Sequence, residues 1–179
     1  MEPQKTLVTG GVRSGKSQFA ENLLGARSGV TYLAPGPAPS AVTDPEWAAR
    51  VAAHQAGRPA DWTTVETHRL ATALTEHPPP FLIDCLGTWV TAVVDELGSW
   101  DQPLAAWQSS FDQQLAELVE AWRAVEGPAV AVTNEVGWGL VSQYRSGRIF
   151  ADLLGRTNQA MAAASDRVVL VVAGRALYL

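Results

Sequence analysis

Residues 10–17 carry the clearest chemical signal in the chain. They read GGVRSGKS, which has the form G-x-x-x-x-G-K-S of a phosphate-binding loop, or P-loop. Glycines in such a loop let successive backbone N–H groups point at phosphate oxygens without interference from a Cβ atom. Lys16 is expected to bridge the β- and γ-phosphates, and the Ser17 hydroxyl to ligate Mg²⁺. The predicted nucleotide-binding residues of the loop are Gly10, Gly11, Val12, Arg13, Ser14, Gly15, Lys16 and Ser17.

The residues on either side are those that a P-loop requires. Thr6-Leu7-Val8-Thr9 predicts a short buried strand that runs into the loop, and residues 16–24 predict an amphipathic helix that leaves it. The N-terminus of that helix would place its partial positive charge at the phosphates. Within the loop, the side chain of Arg13 either contacts phosphate or points to solvent.

Two other predicted strand ends carry polar side chains. Asp84 follows the apolar residues Phe81-Leu82-Ile83, where an acid is expected to hold the Mg²⁺ shell. The alternative is that Asp84 caps the next helix. Asn134 and Glu135 follow an apolar strand predicted over residues 129–133. They either contact the γ-phosphate or orient the acceptor, or they only add polarity to a loop.

A second cluster lies on a helix that is predicted to begin at Asp44 and to end near residue 56. Asp44-Pro45-Glu46 supplies an N-cap, a proline at the first helical position and an acid in the first turn. Arg50 and His54 are four residues apart and share a helix face, and Arg58 follows. Two guanidinium groups beside an imidazole form a plausible phosphate site, and a neutral imidazole can attack phosphorus to form a covalent intermediate. The alternative is a solvated surface histidine.

Composition narrows the class of protein. The 179 residues suffice for one domain over residues 1–179, and 47% of them are hydrophobic. A net charge of −5 argues against a nucleic-acid partner. The one cysteine, Cys85, excludes a disulfide framework within the chain and is consistent with a reducing cytoplasm. We expect no signal peptide, because the first predicted strand begins almost at the N-terminus. We expect no membrane span, because no apolar run approaches about 18 residues.

Predicted strands alternate with predicted helices along the whole chain. This order indicates a three-layer α/β/α domain of the P-loop NTPase type, with a mostly parallel sheet and an antiparallel C-terminal edge strand over residues 175–179. The longest helix is predicted within residues 99–125. Its apolar stripe consists of Leu104, Trp107, Phe111, Leu115, Leu118 and Trp122.

Two loops of the predicted fold remain open to more than one interpretation. The Pro-rich segment 35–45 forbids regular structure and is a spacer or a lid, of which we favour the spacer. Trp138 lies between two glycines after a predicted strand. It is either an exposed platform for a flat ligand or an aromatic residue packed within its loop.

Five stretches of the chain resemble the bifunctional adenosylcobinamide kinase/adenosylcobinamide-phosphate guanylyltransferase family of cobalamin biosynthesis. They occur in the order found in the family and reach both ends of the chain. The segment R-x-x-x-H-x-x-G-R-P, together with T-N-E-V-G, is more specific than the P-loop alone. The five stretches are residues 7–17, 48–66, 82–90, 132–141 and 148–174.

This resemblance implies two reactions. ATP or GTP first phosphorylates the aminopropanol hydroxyl of adenosylcobinamide, and GTP then donates GMP to that phosphate. The products of the second step are adenosylcobinamide-GDP and pyrophosphate. In the family the guanylyl group passes through a covalent intermediate on a histidine, which falls on His54. The resemblance also implies a homo-oligomer, described as a trimer, and a corrinoid that binds as substrate.

Two other functions would explain part of the same pattern. A single-function P-loop kinase of another small hydroxylated metabolite accounts for the P-loop and Asp84 but leaves His54, Arg50 and Arg58 without a role. A nucleotide-dependent regulatory ATPase or GTPase would hydrolyse slowly and change conformation, with no small-molecule acceptor. A family member that lacks the kinase step is disfavoured by the intact P-loop.

Overall fold

One sheet with β1 near its centre organises the fold. A computed structural model describes residues 4–36, 45, 46, 48, 49, 52, 57–98 and 100–179. Within them the strands lie in the order β3-β2-β4-β5-β1-β6-β7. All neighbouring strands are parallel except β6 and β7, which confirms the predicted sheet and its antiparallel edge. The strands are β1 (Lys5–Thr9), β2 (Thr31–Ala34), β3 (Thr63–Glu66), β4 (Phe81–Asp84), β5 (Ala129–Val132), β6 (Arg167–Val172) and β7 (Arg175–Tyr178).

Helices cover both faces of this sheet. The helices for which complete bounds are described are α1 (Lys16–Leu24), α2 (Leu70–Glu76), α3 (Leu86–Glu96), α4 (Gln108–Ala124) and α5 (Arg145–Ala163), and a 3₁₀ turn spans Leu104–Ala106. In the described part of the chain, no helix combines the length and apolar character needed to cross a bilayer.

Successive residues of the central strands point to opposite faces of the sheet and pack into different cores. Leu7 and Ile83 point into the core formed with α2 to α5, whereas their neighbours Val8 and Leu82 pack with Ala20 of α1 and belong to the other core. All four strand residues are buried. Strands covered on both faces require continuous apolar runs, which explains why these strands read as uninterrupted hydrophobic segments.

The helix predicted as the longest is the second longest of those with complete described bounds, since α4 has 17 residues and α5 has 19. It also begins only after Leu104, where the predicted apolar stripe starts. Pro103 precedes the 3₁₀ turn in an extended conformation, and α4 starts only at Gln108. Proline cannot donate a backbone hydrogen bond and disfavours helical conformation in the residue before it, which explains why residues 100–103 are not helical. The expectation that Leu104 belongs to the buried stripe is therefore wrong, since its side chain is 38% exposed. The other five residues of the stripe are buried, including Trp107 and Trp122.

The helix predicted over residues 44–56 lies mostly outside the described residues. Residues 45, 46, 48, 49 and 52 are described and are helical. The interpretation of segment 35–45 as a spacer or a lid also falls largely outside the described residues.

Leu118 and Leu104 give a matched test of the core. Replacing Leu118, which is 1% exposed, with alanine should lower the free energy of unfolding by about 2–5 kcal/mol, because it leaves a cavity in the buried core that α4 shares with the other helices on its side of the sheet. Replacing the exposed Leu104 with alanine should change it by about 0.5 kcal/mol or less. Denaturant titration of both variants measures the difference. Equal losses would contradict the assignment of Leu118 to the core.

Candidate functional site

The P-loop is held between the ends of the two strands that flank β1. On one side, the backbone N–H of Glu135, just beyond β5, donates to the carbonyl oxygen of Gly10 at 3.1 Å. On the other side, the N–H of Gly174, in the turn between β6 and β7, donates to the carbonyl oxygen of Ser14 at 2.8 Å. The loop therefore takes its position from the sheet edge and not from its own residues alone.

Gly10 lies close to the end of β6. A Cβ atom added there would lie 2.5 Å from the carbonyl oxygen of Val171 and 2.6 Å from the Ser14 hydroxyl oxygen. A Cβ atom on Gly11 would meet nothing within 4 Å. The two adjacent glycines thus have different roles, because only the first is required by packing.

The P-loop turns the chain between β1 and α1, so that α1 begins at the end of the loop. Arg13 and Gly15 have φ angles of 56° and 92°, in the left-handed region, where glycine carries no Cβ penalty. The first N–H groups of α1 have no partner within the helix and are available to a phosphate. Lys16 is 8% exposed, and its ammonium group donates to the carbonyl oxygen of Gly11 at 3.1 Å, so it folds back over the loop. Ser17 is half-buried and Arg13 is exposed.

Asp84 lies at the same level of the sheet as the start of the P-loop. Strand register pairs Asp84 with Val132 and Val132 with Val8, two residues before Gly10. Asp84 is thus two strand spacings from β1, roughly 10 Å across the sheet. It does not cap the next helix, because the N-cap of α3 is Cys85.

Asp84 is hydrogen-bonded to Tyr32, and Arg58 stacks on the ring of that tyrosine. The Tyr32 hydroxyl donates to the Asp84 carboxylate at 3.1 Å, and the Arg58 guanidinium lies 3.3 Å from the centre of the Tyr32 ring. Arg58 also donates to the Thr64 hydroxyl at 3.0 Å. Burial, and next the negative charge of Asp84, raise the pKa of Tyr32 far above its ordinary value. The tyrosine therefore stays protonated and remains a donor to Asp84.

The residues that follow β5 are tied to their surroundings. The carboxylate of Glu135 accepts a hydrogen bond from the N–H of Gly137 at 3.1 Å. The backbone carbonyl of Asn134 accepts one from the Asn158 side chain of α5 at 3.0 Å, and its side-chain oxygen accepts one from the Cys85 thiol at 3.5 Å. Burial, and next the charge of Asp84, raise the pKa of Cys85, which keeps it a thiol.

The structure brings together only part of the predicted site. The P-loop, Asp84 and Glu135 meet at the carboxyl edge of the sheet, and Arg58 reaches this edge through Tyr32. His54 and Arg50 lie outside the described residues. The predictions that His54 is a nucleophile and that Arg50 and Arg58 bind nucleotide therefore stay predictions.

Two contributors to the site escaped sequence reasoning. Tyr32 reads as an ordinary residue of a buried strand, and only the strand order places its hydroxyl at Asp84. Ala173 and Gly174 form a two-residue hairpin turn with φ angles of 49° and 77°, as tight hairpins favour. Their contact with the P-loop links residues about 160 positions apart in the chain, which no local pattern indicates.

The donors at this edge fit magnesium bound together with a nucleotide. Among the described residues, no group of three or more His, Cys, Asp and Glu side chains could hold a metal ion by itself. Ser17 and Asp84 offer a hydroxyl and a carboxylate, which are oxygen ligands of the kind that Mg²⁺ prefers. Mg²⁺ usually completes its shell with water and substrate phosphates, so two protein ligands are sufficient.

The topology agrees with a solved nucleotide-hydrolysing protein. An ATPase of the type III secretion system of pathogenic bacteria superposes with a TM-score of 0.57 at 14% sequence identity, covering 93% of this chain and 50% of that one. A P-loop between a central parallel strand and a helix, with an acid at the end of a nearby strand, defines a domain of the P-loop NTPase type.

Within this class, the family described as cobinamide kinase / cobinamide phosphate guanyltransferase matches residues 6–179, and the chain belongs to it. It is 43% identical over 176 residues to the bifunctional adenosylcobalamin biosynthesis protein CobU of Salmonella typhimurium, covering 94% of this chain and 95% of that protein. It is 39% identical to the Escherichia coli protein of the same name, with the same coverage. The family predicted from the motifs is confirmed, and the chain is an enzyme of that family.

The two adjacent glycines of the loop give a direct test of its geometry. Gly10→Ala should weaken nucleotide binding by about tenfold or more, because the new methyl group forces the loop away from the β6 carbonyl. Gly11→Ala should change the free energy of unfolding by no more than about 0.5 kcal/mol. Calorimetric titration with GTP and denaturant unfolding of both variants provide the readouts. Unchanged GTP affinity in Gly10→Ala would show that the loop tolerates displacement.

Proposed function

We propose that this enzyme phosphorylates adenosylcobinamide with ATP or GTP and then transfers GMP from GTP to the resulting phosphate. The observation that carries the proposal is a complete P-loop, with Lys16 folded over it, in a chain that belongs to the cobinamide kinase / cobinamide phosphate guanyltransferase family. One domain over residues 1–179 would carry both reactions.

The first reaction is a phosphoryl transfer. The aminopropanol hydroxyl of adenosylcobinamide attacks the γ-phosphorus, the bond to the β–γ bridging oxygen breaks, and the nucleoside diphosphate leaves as the hydroxyl proton passes to solvent. Catalysis of this kind depends mainly on positioning and charge neutralisation. The loop amides from Gly10 to Gly15 and the ammonium group of Lys16 would hold the phosphates. Mg²⁺, when bound by Ser17 and Asp84, supplies further neutralisation of their charge.

The second reaction is a nucleotidyl transfer in two displacements. A ring nitrogen of His54 attacks the α-phosphorus of GTP, and pyrophosphate leaves. A phosphate oxygen of adenosylcobinamide phosphate then attacks the same phosphorus, the P–N bond breaks, and His54 is regenerated with adenosylcobinamide-GDP as product. Arg50 and Arg58 would neutralise charge around this phosphate, as guanidinium groups do well.

The remaining predicted residues have supporting roles in this scheme. Glu135, which is tied to Gly10 through its backbone, would orient the acceptor or contact the γ-phosphate. Val12, Arg13 and Ser14 would contribute loop backbone to the phosphates. We also propose that the enzyme works in the cytoplasm as a homo-oligomer, a trimer by resemblance to the family.

Labelled GTP tests the covalent step without the corrinoid. Incubation with Mg²⁺ and GTP labelled at the α-phosphate should leave label on the denatured protein, whereas label at the γ-phosphate should not. A phosphoramidate on histidine should be lost in acid and survive in alkali. His54→Ala should abolish labelling, while His77→Ala, a half-buried histidine at the end of α2, should label like the unaltered protein.

The same experiment separates the proposal from its competitors. A protein that binds GTP but never acquires α-label would contradict the covalent role of His54. Phosphorylation of another small hydroxylated metabolite in that protein would then favour a single-function kinase. Slow hydrolysis without any acceptor would favour a regulatory ATPase or GTPase.

The hydrogen bond from Tyr32 to Asp84 should affect the dependence on magnesium. Tyr32→Phe keeps the ring beneath Arg58 but removes the hydroxyl that orients the carboxylate. Loss of such an orienting partner typically weakens a metal site by about 10–100-fold, so the Mg²⁺ concentration for half-maximal kinase activity should rise by about tenfold. Tyr178→Phe, on the exposed edge strand, is the matched control. An unchanged Mg²⁺ requirement in Tyr32→Phe would assign the hydrogen bond a purely structural role.

A further inference from the structure

The loop between β5 and α5 exposes an unusual amount of apolar surface. We call residues 136–144 the Trp138 loop. The side chain of Trp138 is 75% exposed, that of Val141 is 84% exposed, and that of Leu140 is fully exposed. Val136 and Tyr144 are also exposed. Scattered apolar residues on a surface need no explanation, but five within nine residues form a patch of the kind that marks a binding site.

Both ends of the Trp138 loop are fixed in place. At its start, the N–H of Gly137 donates to the Glu135 carboxylate. At its end, the Ser142 hydroxyl accepts from the N–H of Tyr144 at 3.2 Å, and Arg148 donates to the carbonyl oxygens of Ser142 and Gln143 at 2.9 Å each. A Cβ atom on Gly147 would lie 2.4 Å from the Ser142 hydroxyl, so the loop packs tightly on α5. The exposed side chains are therefore presented by an ordered support.

The loop also starts at the nucleotide site. Glu135, the residue before it, donates its backbone N–H to Gly10 of the P-loop. A molecule resting on Trp138 and its neighbours would thus lie beside the carboxyl edge of the sheet, where the γ-phosphate is proposed to bind. This is where an acceptor must be held for its hydroxyl to attack.

We propose that the Trp138 loop is the binding surface for the corrin ring of the acceptor. This inference rests on the proposed function, which makes a corrinoid the acceptor. A corrin is a broad flat ring with apolar faces and polar amides at its rim. The exposed indole, Leu140 and Val141 match the faces, and the exposed polar side chains of Gln143 and Ser146 lie nearby in the chain to meet the amides.

The location favours the acceptor over a second copy of the chain as the occupant. A subunit seated on the Trp138 loop would cover the approach to the γ-phosphate, which an acceptor of this size must reach. The exposed edge strand β7, with Leu177 and Tyr178, offers apolar surface without obstructing that approach. Binding of a second copy at the Trp138 loop remains an explicit outcome of the test.

Steady-state kinetics of the full chain with adenosylcobinamide and ATP can test the surface. Trp138→Ala and Leu140→Ser should each raise the KM for adenosylcobinamide by about fivefold or more, with a smaller change in kcat, and leave the affinity for GTP unchanged. Trp138→Phe keeps a flat ring, so its KM for the acceptor should be closer to that of the unaltered protein than the KM of Trp138→Ala. Leu177→Ser is the matched control, because it also replaces an exposed leucine with serine. It should leave the KM for the acceptor, kcat and the affinity for GTP unaltered. Light scattering at the assay concentration records the oligomeric mass of each variant.

Each outcome decides the question. A raised KM at constant mass supports the corrin surface. An unchanged KM in both loop variants overturns the proposal, while turnover of adenosylcobinamide by the unaltered protein would leave the proposed function standing. A fall in mass in the loop variants overturns the proposal and assigns the loop to a contact between copies. Absence of adenosylcobinamide turnover in the unaltered protein contradicts the proposed function itself, and with it this inference.

Discussion

The contact between the Gly10 backbone and the end of β6 constrains the whole site. There is no space for a side chain at that point, so the P-loop can follow β1 only if glycine stands at its first position. Backbone hydrogen bonds from Glu135 and Gly174 then fix the loop from both sides. Three segments that are far apart in the chain thereby converge on the loop, from which α1 begins.

The sheet register extends this constraint to the other functional groups. Asp84 is level with Val132 and Val8 because parallel strands stop at a common edge. The order of the strands also places β2 next to β4, which brings the Tyr32 hydroxyl to the Asp84 carboxylate. Arg58 covers the same tyrosine ring, so the segment that follows His54 in the chain is anchored to the proposed metal site.

The sequence predicts the local elements of the fold but not the contacts that depend on strand order. The P-loop, the α1 helix, the strand ending at Asp84 and the antiparallel edge strand follow from spacing and residue type, and the structure agrees with all four. The placement of Leu104 in the buried stripe of α4 is wrong, because Leu104 has the right spacing but lies in the 3₁₀ turn that precedes the helix. The partnership of Tyr32 with Asp84 and the support from the β6–β7 turn depend on strand order, which residue patterns do not encode. The motifs shared with the family, in contrast, indicated chemistry on His54 that periodicity alone could not assign.

The negative charge of Asp84 bears on the proposed binding of nucleotide and Mg²⁺ at this edge of the sheet. The charge of Asp84 contributes to the raised pKa values of both Tyr32 and Cys85, so it is felt by the groups around it. A triphosphate brought to the same edge would add negative charge against that carboxylate, which is unfavourable unless a cation lies between them. Lys16 folds back over the loop, where its ammonium group donates to the carbonyl oxygen of Gly11. A Mg²⁺ ion held by Ser17 and Asp84, as proposed above, would reduce the repulsion between the carboxylate and the phosphates. The Tyr32 hydroxyl would then orient the carboxylate that binds the ion.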